Sequence, residues 1–141
     1  KSRWTIKWQG LSGEFDLRSG KGKLSCSPGP SGLNSFLRFV YSLILLKEPG
    51  FLVHASSLIR SDRGYIFPGK SNAGKTTITQ LSPDATLLSD DISLIKMLNG
   101  VPVAFGTPFW GALAVGGENV STTITGIYFP IKDNKNYVQK L

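Results

Sequence analysis

The sequence predicts an α/β protein: a mixed, strand-rich sheet that carries a P-loop and has helices packed on it. Three observations predict it. Short apolar runs with strand alternation recur along the whole chain. One long stretch has helical spacing. A Gly-x-x-x-x-Gly-Lys-Thr sequence, Gly69 to Thr76, stands between a short apolar run and a second helical stretch.

Taken in order, Trp4 to Trp8 alternates apolar and polar residues, as a half-buried strand does. Glu14 to Leu17 and Lys23 to Cys26 fit two more short strands, interrupted by the turn-forming runs Gly-Lys-Gly and Ser-Pro-Gly-Pro-Ser-Gly. From Ser31 to Lys47 the residues Leu33, Phe36, Leu37, Val40, Tyr41, Ile44 and Leu45 recur every three or four positions. That spacing predicts a helix, with Ser31 able to cap its start and Pro49-Gly50 ending it. Its apolar run, Phe36 to Leu46, falls short of the about 20 residues that cross a bilayer, so no membrane span is expected.

Phe51 to Ile59 and Tyr65 to Phe67 flank the turn Ser61-Asp62-Arg63-Gly64, which predicts a hairpin feeding the glycine-rich loop. Thr76 to Leu81 starts a helix that Pro83 stops. Thr86 to Ser89 is a short strand ending at Asp90-Asp91. Asn99-Gly100, between Ser93–Leu98 and Val101–Phe105, is a strong hairpin signal. Thr107 to Gly111 is a loop, in which Trp110 is either a lid and substrate contact or an aromatic buried under the loop. Thr125 to Ile131 is a further strand, and Tyr137 to Leu141 fits another.

Composition sets the class. With 40% hydrophobic and 18% charged residues over 141 positions, the chain can bury a core and is not of the disordered type. Cys26 is the single cysteine, which leaves no internal disulfide; a reducing, cytoplasmic compartment is expected. The net charge is +7, yet the basic residues are scattered and no strand interleaves them with aromatics, so no nucleic-acid partner is expected.

The residues that carry chemistry are concentrated between His54 and Asp91. In Gly69-Lys70-Ser71-Asn72-Ala73-Gly74-Lys75-Thr76, glycines let backbone N–H groups approach phosphate oxygens, Lys75 brings a point charge to the β- and γ-phosphates, and Thr76 offers a hydroxyl to Mg²⁺. Thr77 extends the cradle into the helix. A chance match in a chain of this length is on the order of 0.5%, given average glycine usage of about 7%. Asp90 and Asp91 stand at a strand tip, where one carboxylate can contact the metal while the other takes a proton from an incoming hydroxyl. If the strand continues, they face opposite ways. His54, the only histidine, is placed by the hairpin beside the strand that feeds the loop; it is either a packed strand residue or a partner of a phosphate or an aspartate.

His54, the loop Gly69–Thr76 and Ser89-Asp90-Asp91 together resemble the catalytic domain of HPr serine kinase/phosphorylase, a family related in arrangement to ATP-dependent phosphoenolpyruvate carboxykinase. Val53-His54-Ala55-Ser56-Ser57 is similar to the histidine segment of those enzymes. Gly106 to Gly111 and Thr125 to Phe129 look like HPr-kinase-related proteins. The resemblance runs from about Phe51 to Ile131. It implies the fold of the HPr-kinase C-terminal domain. Residues 1–30 carry no part of it and read as a strand-rich segment, residues 31–141 as the P-loop core, and the whole as one compact domain.

In function the resemblance implies an ATP- and Mg²⁺-dependent kinase that phosphorylates a serine of a protein or peptide. His54, Lys75, Asp90 and Asp91 would be the catalytic set, with Thr76 and Asp90 at the metal and Asp91 as base, or the two aspartates exchanged. A homo-oligomer is compatible with it. The chain departs from the family pattern in having Ala55 where glycine follows the histidine. It also has no clear counterpart of a later metal-binding glutamate, Glu118 being the only glutamate in that region. A nucleotide-binding sensor without transfer chemistry is the alternative.

Overall fold

The computed structural model describes residues 2–140. They form two compact units, one ending at Leu52 and the other beginning at Val53.

In the first unit, β1 (Arg3–Trp8), β2 (Leu11–Asp16) and β3 (Lys21–Ser25) make an antiparallel sheet in that order. Gln9 and Gly10 both have positive φ, 32° and 80°, the backbone a two-residue hairpin turn needs to match strand twist. Helix α1 (Pro30–Leu45) buries Phe36, Val40 and Leu43 against Leu11 and Phe15 of β2. Pro30 suits the first helical turn, where its missing N–H has no intrahelical role. Because α1 joins the core of the N-terminal strands, the division falls after residue 52, where the sequence reading set a segment boundary at residue 30.

The second unit overturns the α/β expectation. Strand accounts for 41% of the chain and helix for 16%, there are two helices among the described residues, and five strands close into a barrel. The ring runs β4 (Gly50–Arg60), β5 (Arg63–Pro68), β9 (Ser121–Ile127), β8 (Val101–Phe105), β7 (Ile92–Leu98) and back to β4. Strand β6 (Thr86–Ser89) adds to β4 alongside. The physical reason lies in the connections. Both β4–β5 and β7–β8 are joined by two-residue turns with left-handed residues, Ser61 and Asp62 in one and Asn99 and Gly100 in the other. Tight turns make antiparallel neighbours, whereas a layered α/β sheet needs helical crossovers between parallel strands. Helix α2 (Lys75–Gln80) is six residues long and cannot cover a sheet face.

The expected hairpins, β6 and α2 lie where the sequence puts them, within a residue or two. The last strand is shifted: Ser121–Ile127 replaces Thr125–Ile131. Residues 137–140 form no strand, and Leu141 lies outside the described residues. Ala55, Ile66, Leu88, Ile95 and Ala104 fill the core of the unit. Among the described residues no helix is long and apolar enough to cross a membrane.

Barrel closure depends on the parallel pairing of β5 with β9. Gly64 sits where a Cβ would stand 2.5 Å from the Thr123 carbonyl oxygen. Gly64→Ala is therefore expected to push the two strands apart and to destabilise the chain by about 1–3 kcal/mol, read as a lower urea midpoint. An unchanged midpoint would show that β9 does not close against β5 this tightly.

Candidate functional site

Strand β4 organises the site. The His54 carbonyl accepts a hydrogen bond from Gly69 N at 3.3 Å on one edge, and Ala55 N donates to the Asp91 carbonyl at 3.0 Å on the other. The first residue of the glycine-rich loop and the second aspartate thus flank two adjacent β4 residues. Neighbouring strands are about 4.8 Å apart, so the two backbones are about 10 Å apart. Ala55 is fully buried in the core, so alternation turns His54 and Ser56 to the outer face.

Gly69 and Lys70 are irregular, Ser71 and Asn72 make a turn, and a bend at Ala73 and Gly74 passes into α2. Asn72 and Gly74 have φ of 66° and 103°, and Ala73 N donates to the Lys70 carbonyl at 3.2 Å. Left-handed residues interspersed in a short loop turn successive N–H groups toward one side, which is how such loops hold anions. Helix α2 is only six residues long and brings little helix dipole to the loop.

Lys75 is buried, and its Nζ donates to the carbonyls of Gly69 at 2.8 Å and Lys70 at 2.9 Å. An ammonium has three N–H donors, so one remains for a ligand, and the side chain is already held in the loop. Ser56 Oγ donates to the Lys75 carbonyl at 3.4 Å and seats the start of α2 on β4. The half-buried Thr76 makes no side-chain hydrogen bond among the described residues, which leaves its hydroxyl available to a cation. Thr77 is exposed beside it.

The two aspartates lie on a bend between β6 and β7 and do different things. Asp91 Oδ1 is 3.4 Å from His54 Nε2, with 21% of the Asp91 side chain and 42% of the histidine side chain exposed, so a substrate can reach both. Asp90 is buried: Oδ1 accepts from Gly111 N at 2.8 Å and Oδ2 from Leu113 N at 3.0 Å. Its negative charge therefore ties down the loop after β8. Asp90 thus fastens the loop, and the metal contact expected of it from the sequence would use the lone pairs these bonds leave. In the same loop Phe109 is fully buried, and Trp110 is half-buried beside it.

Sequence reasoning missed the buried hydroxyls that hold the acidic bend. Ser89 Oγ accepts from Asp91 N at 3.2 Å, and Thr107 Oγ1 donates to the Ile92 carbonyl at 2.7 Å. Ser93 Oγ donates to the Ala55 carbonyl at 3.0 Å and lies 2.8 Å from Ser57 Oγ. The available signal was Ala55-Ser56-Ser57, small polar residues in the middle of an otherwise apolar strand. Glu118 is exposed, and its backbone N–H pairs with the Leu87 carbonyl. Among the described residues no three His, Cys, Asp or Glu side chains gather as metal ligands. Two open surface hollows, of about 670 and 580 Å³, belong to the first unit and include no residue of this site.

Asp90→Ala removes the acceptor of two backbone N–H groups. It should cost about 2–3 kcal/mol of stability and should expose residues 109–114 to limited proteolysis before global unfolding. Wild-type resistance in that segment would contradict the fastening role. Comparison of the chain with protein-family models, with characterised proteins and with solved structures returned no match.

Proposed function

We propose that this chain is an ATP- and Mg²⁺-dependent serine kinase that transfers the γ-phosphate to a serine of a protein or peptide. The observation that carries the proposal is the arrangement about β4: a lysine-bearing glycine-rich loop on one edge and a histidine-paired, accessible aspartate on the other. The sequence resemblance to HPr serine kinase supplies the acceptor class. The fold expected from it is no part of the proposal.

In this reading the loop amides and the third N–H of Lys75 bind the phosphates, and Thr76 contributes its hydroxyl to Mg²⁺. The metal, when bound, neutralises charge shared by the β- and γ-phosphates. Asp91, oriented by His54, accepts the proton of the serine hydroxyl. As that O–H bond breaks, the serine oxygen bonds to the γ-phosphorus and the bridging P–O bond breaks, leaving ADP. Asp90 keeps the 109–113 loop against the bend that carries Asp91.

One observation favours a second reading, a nucleotide sensor without transfer. Asp90 is occupied by backbone donors, so Asp91 is the carboxylate of the pair that faces His54. If Asp91 is needed at the metal, the pair supplies no base.

Two variants decide between them. Lys75→Met is expected to weaken Mg-ATP binding roughly 10- to 100-fold by calorimetry, through loss of a charged hydrogen bond. Asp91→Asn is expected to keep binding within a few-fold while transfer from γ-labelled ATP to a serine-peptide array falls about 10²- to 10⁴-fold, the usual worth of a general base. Loss of nucleotide binding in Asp91→Asn would move the residue to the metal and favour the sensor. Unchanged binding in Lys75→Met would end the nucleotide reading.

A further inference from the structure

The outer face of the barrel carries an aromatic cluster beside the strand that leads into the phosphate loop. Ile66 of β5 belongs to the core, so alternation sends Tyr65 and Phe67 outward. Phe67 pairs in register with Ser56, which seats the start of α2, so the cluster and the loop share one face. Tyr65 pairs with Gly126 of β9, and the missing side chain there makes room for Tyr128: a Cβ on Gly126 would fall 2.7 Å from Tyr128 Cε2. The Tyr128 ring lies 6.0 Å from Phe67, stacked at 26°, and 6.2 Å from Tyr65. Its backbone is pinned by a bond from Tyr128 N to the Ile66 carbonyl at 2.9 Å.

This cluster abuts the loop in two ways. Phe67 leads through Pro68 directly into Gly69. Two residues beyond Tyr128, Pro130 Cδ stands 3.9 Å from where a Cβ on Gly69 would be. Even so, Tyr128 stays 42% exposed and Phe129 56% exposed. Large rings held rigid, half-open to solvent and continuous with a phosphate loop form a surface on which a flat heterocycle can stack. Base and phosphates would then lie side by side, the one on the cluster over β5 and the other in the loop that leaves its end.

We propose that Tyr128, backed by Phe67 and Tyr65, is the platform for the nucleobase of the bound triphosphate, and that it selects by stacking and not by reading base edges. The inference rests on the nucleotide reading above and adds the base site to it. Because every purine offers a π-face, the site should accept adenine and guanine alike.

The test is calorimetry on the full chain with Mg²⁺ and three probes: ATP, GTP and inorganic tripolyphosphate. Wild type should bind ATP and GTP within about threefold of each other, and both about tenfold or more tighter than tripolyphosphate. Tyr128→Ala should bring ATP down to the tripolyphosphate level and leave tripolyphosphate binding unchanged. Tyr128→Phe should bind ATP as wild type does, which excludes general misfolding as the cause. ATP binding unaffected by Tyr128→Ala would overturn the platform, as would a preference between ATP and GTP greater than tenfold, which requires hydrogen bonds to the base. Failure of tripolyphosphate to bind wild type at all would instead refute the phosphate-loop reading, and the platform with it.

Discussion

The site hangs on the two edges of β4. His54 and Ala55 are consecutive, and their outward hydrogen bonds go to Gly69 on one side and Asp91 on the other. A strand has only two edges, and each residue offers its N–H and C=O to one of them, so the spacing of loop and aspartate follows from backbone geometry. Register protects the arrangement. A slip of one residue would turn Ala55 outward and drive His54 into a fully buried core position. The methyl group of Ala55 fits there; an imidazole would lose solvation with no partner in sight.

Burial around this strand is unusually polar. Ser56, Ser57, Ser89 and Ser93 are all fully buried, and Ser56, Ser89 and Ser93 hydrogen-bond backbone atoms near the loop or the acidic bend. A buried hydroxyl without a partner is costly, so a satisfied network ties these segments to a single arrangement. Asp90 does the same with charge. It spends both oxygens on Gly111 and Leu113, so the neighbouring Asp91 is presented from a fastened bend and not from a loose turn.

Much of the local structure was legible. Asn99-Gly100 and the run Thr86–Ser89 carry their signals within a few residues, and the structure places a turn and a strand there. The glycine-rich loop was readable because each of its residue types answers a local requirement. Closure was not legible. It depends on β5 meeting β9 some sixty positions later, and nothing in either strand names the other. The α/β expectation came from strand runs mixed with helical stretches around the loop motif, and six residues of α2 could not sustain it. The last strand was misplaced because the apolar run after Gly126 outweighed the alternating Ser121–Ile127, in which Thr123 and Thr125 face solvent while Thr122 and Ile124 turn to the other, partly buried face. Adjacency of Asp90 and Asp91 suggested different faces, but which one met His54 depended on the 109–113 loop. The ring cluster around Tyr128 was not legible, because its partners Tyr65 and Phe67 are distant in sequence.

In the proposed kinase, one triphosphate with its divalent ion lies between the loop and the His54–Asp91 pair. Mn²⁺-ATP, followed by paramagnetic broadening of backbone amides, probes that placement. Signal should be lost early from Ser71 to Thr76 together with His54 and Asp91, while Asn99 and Gly100 at the β7–β8 turn stay sharp. Broadening confined to the loop, with His54 and Asp91 untouched, or spread over unrelated surface, would contradict it.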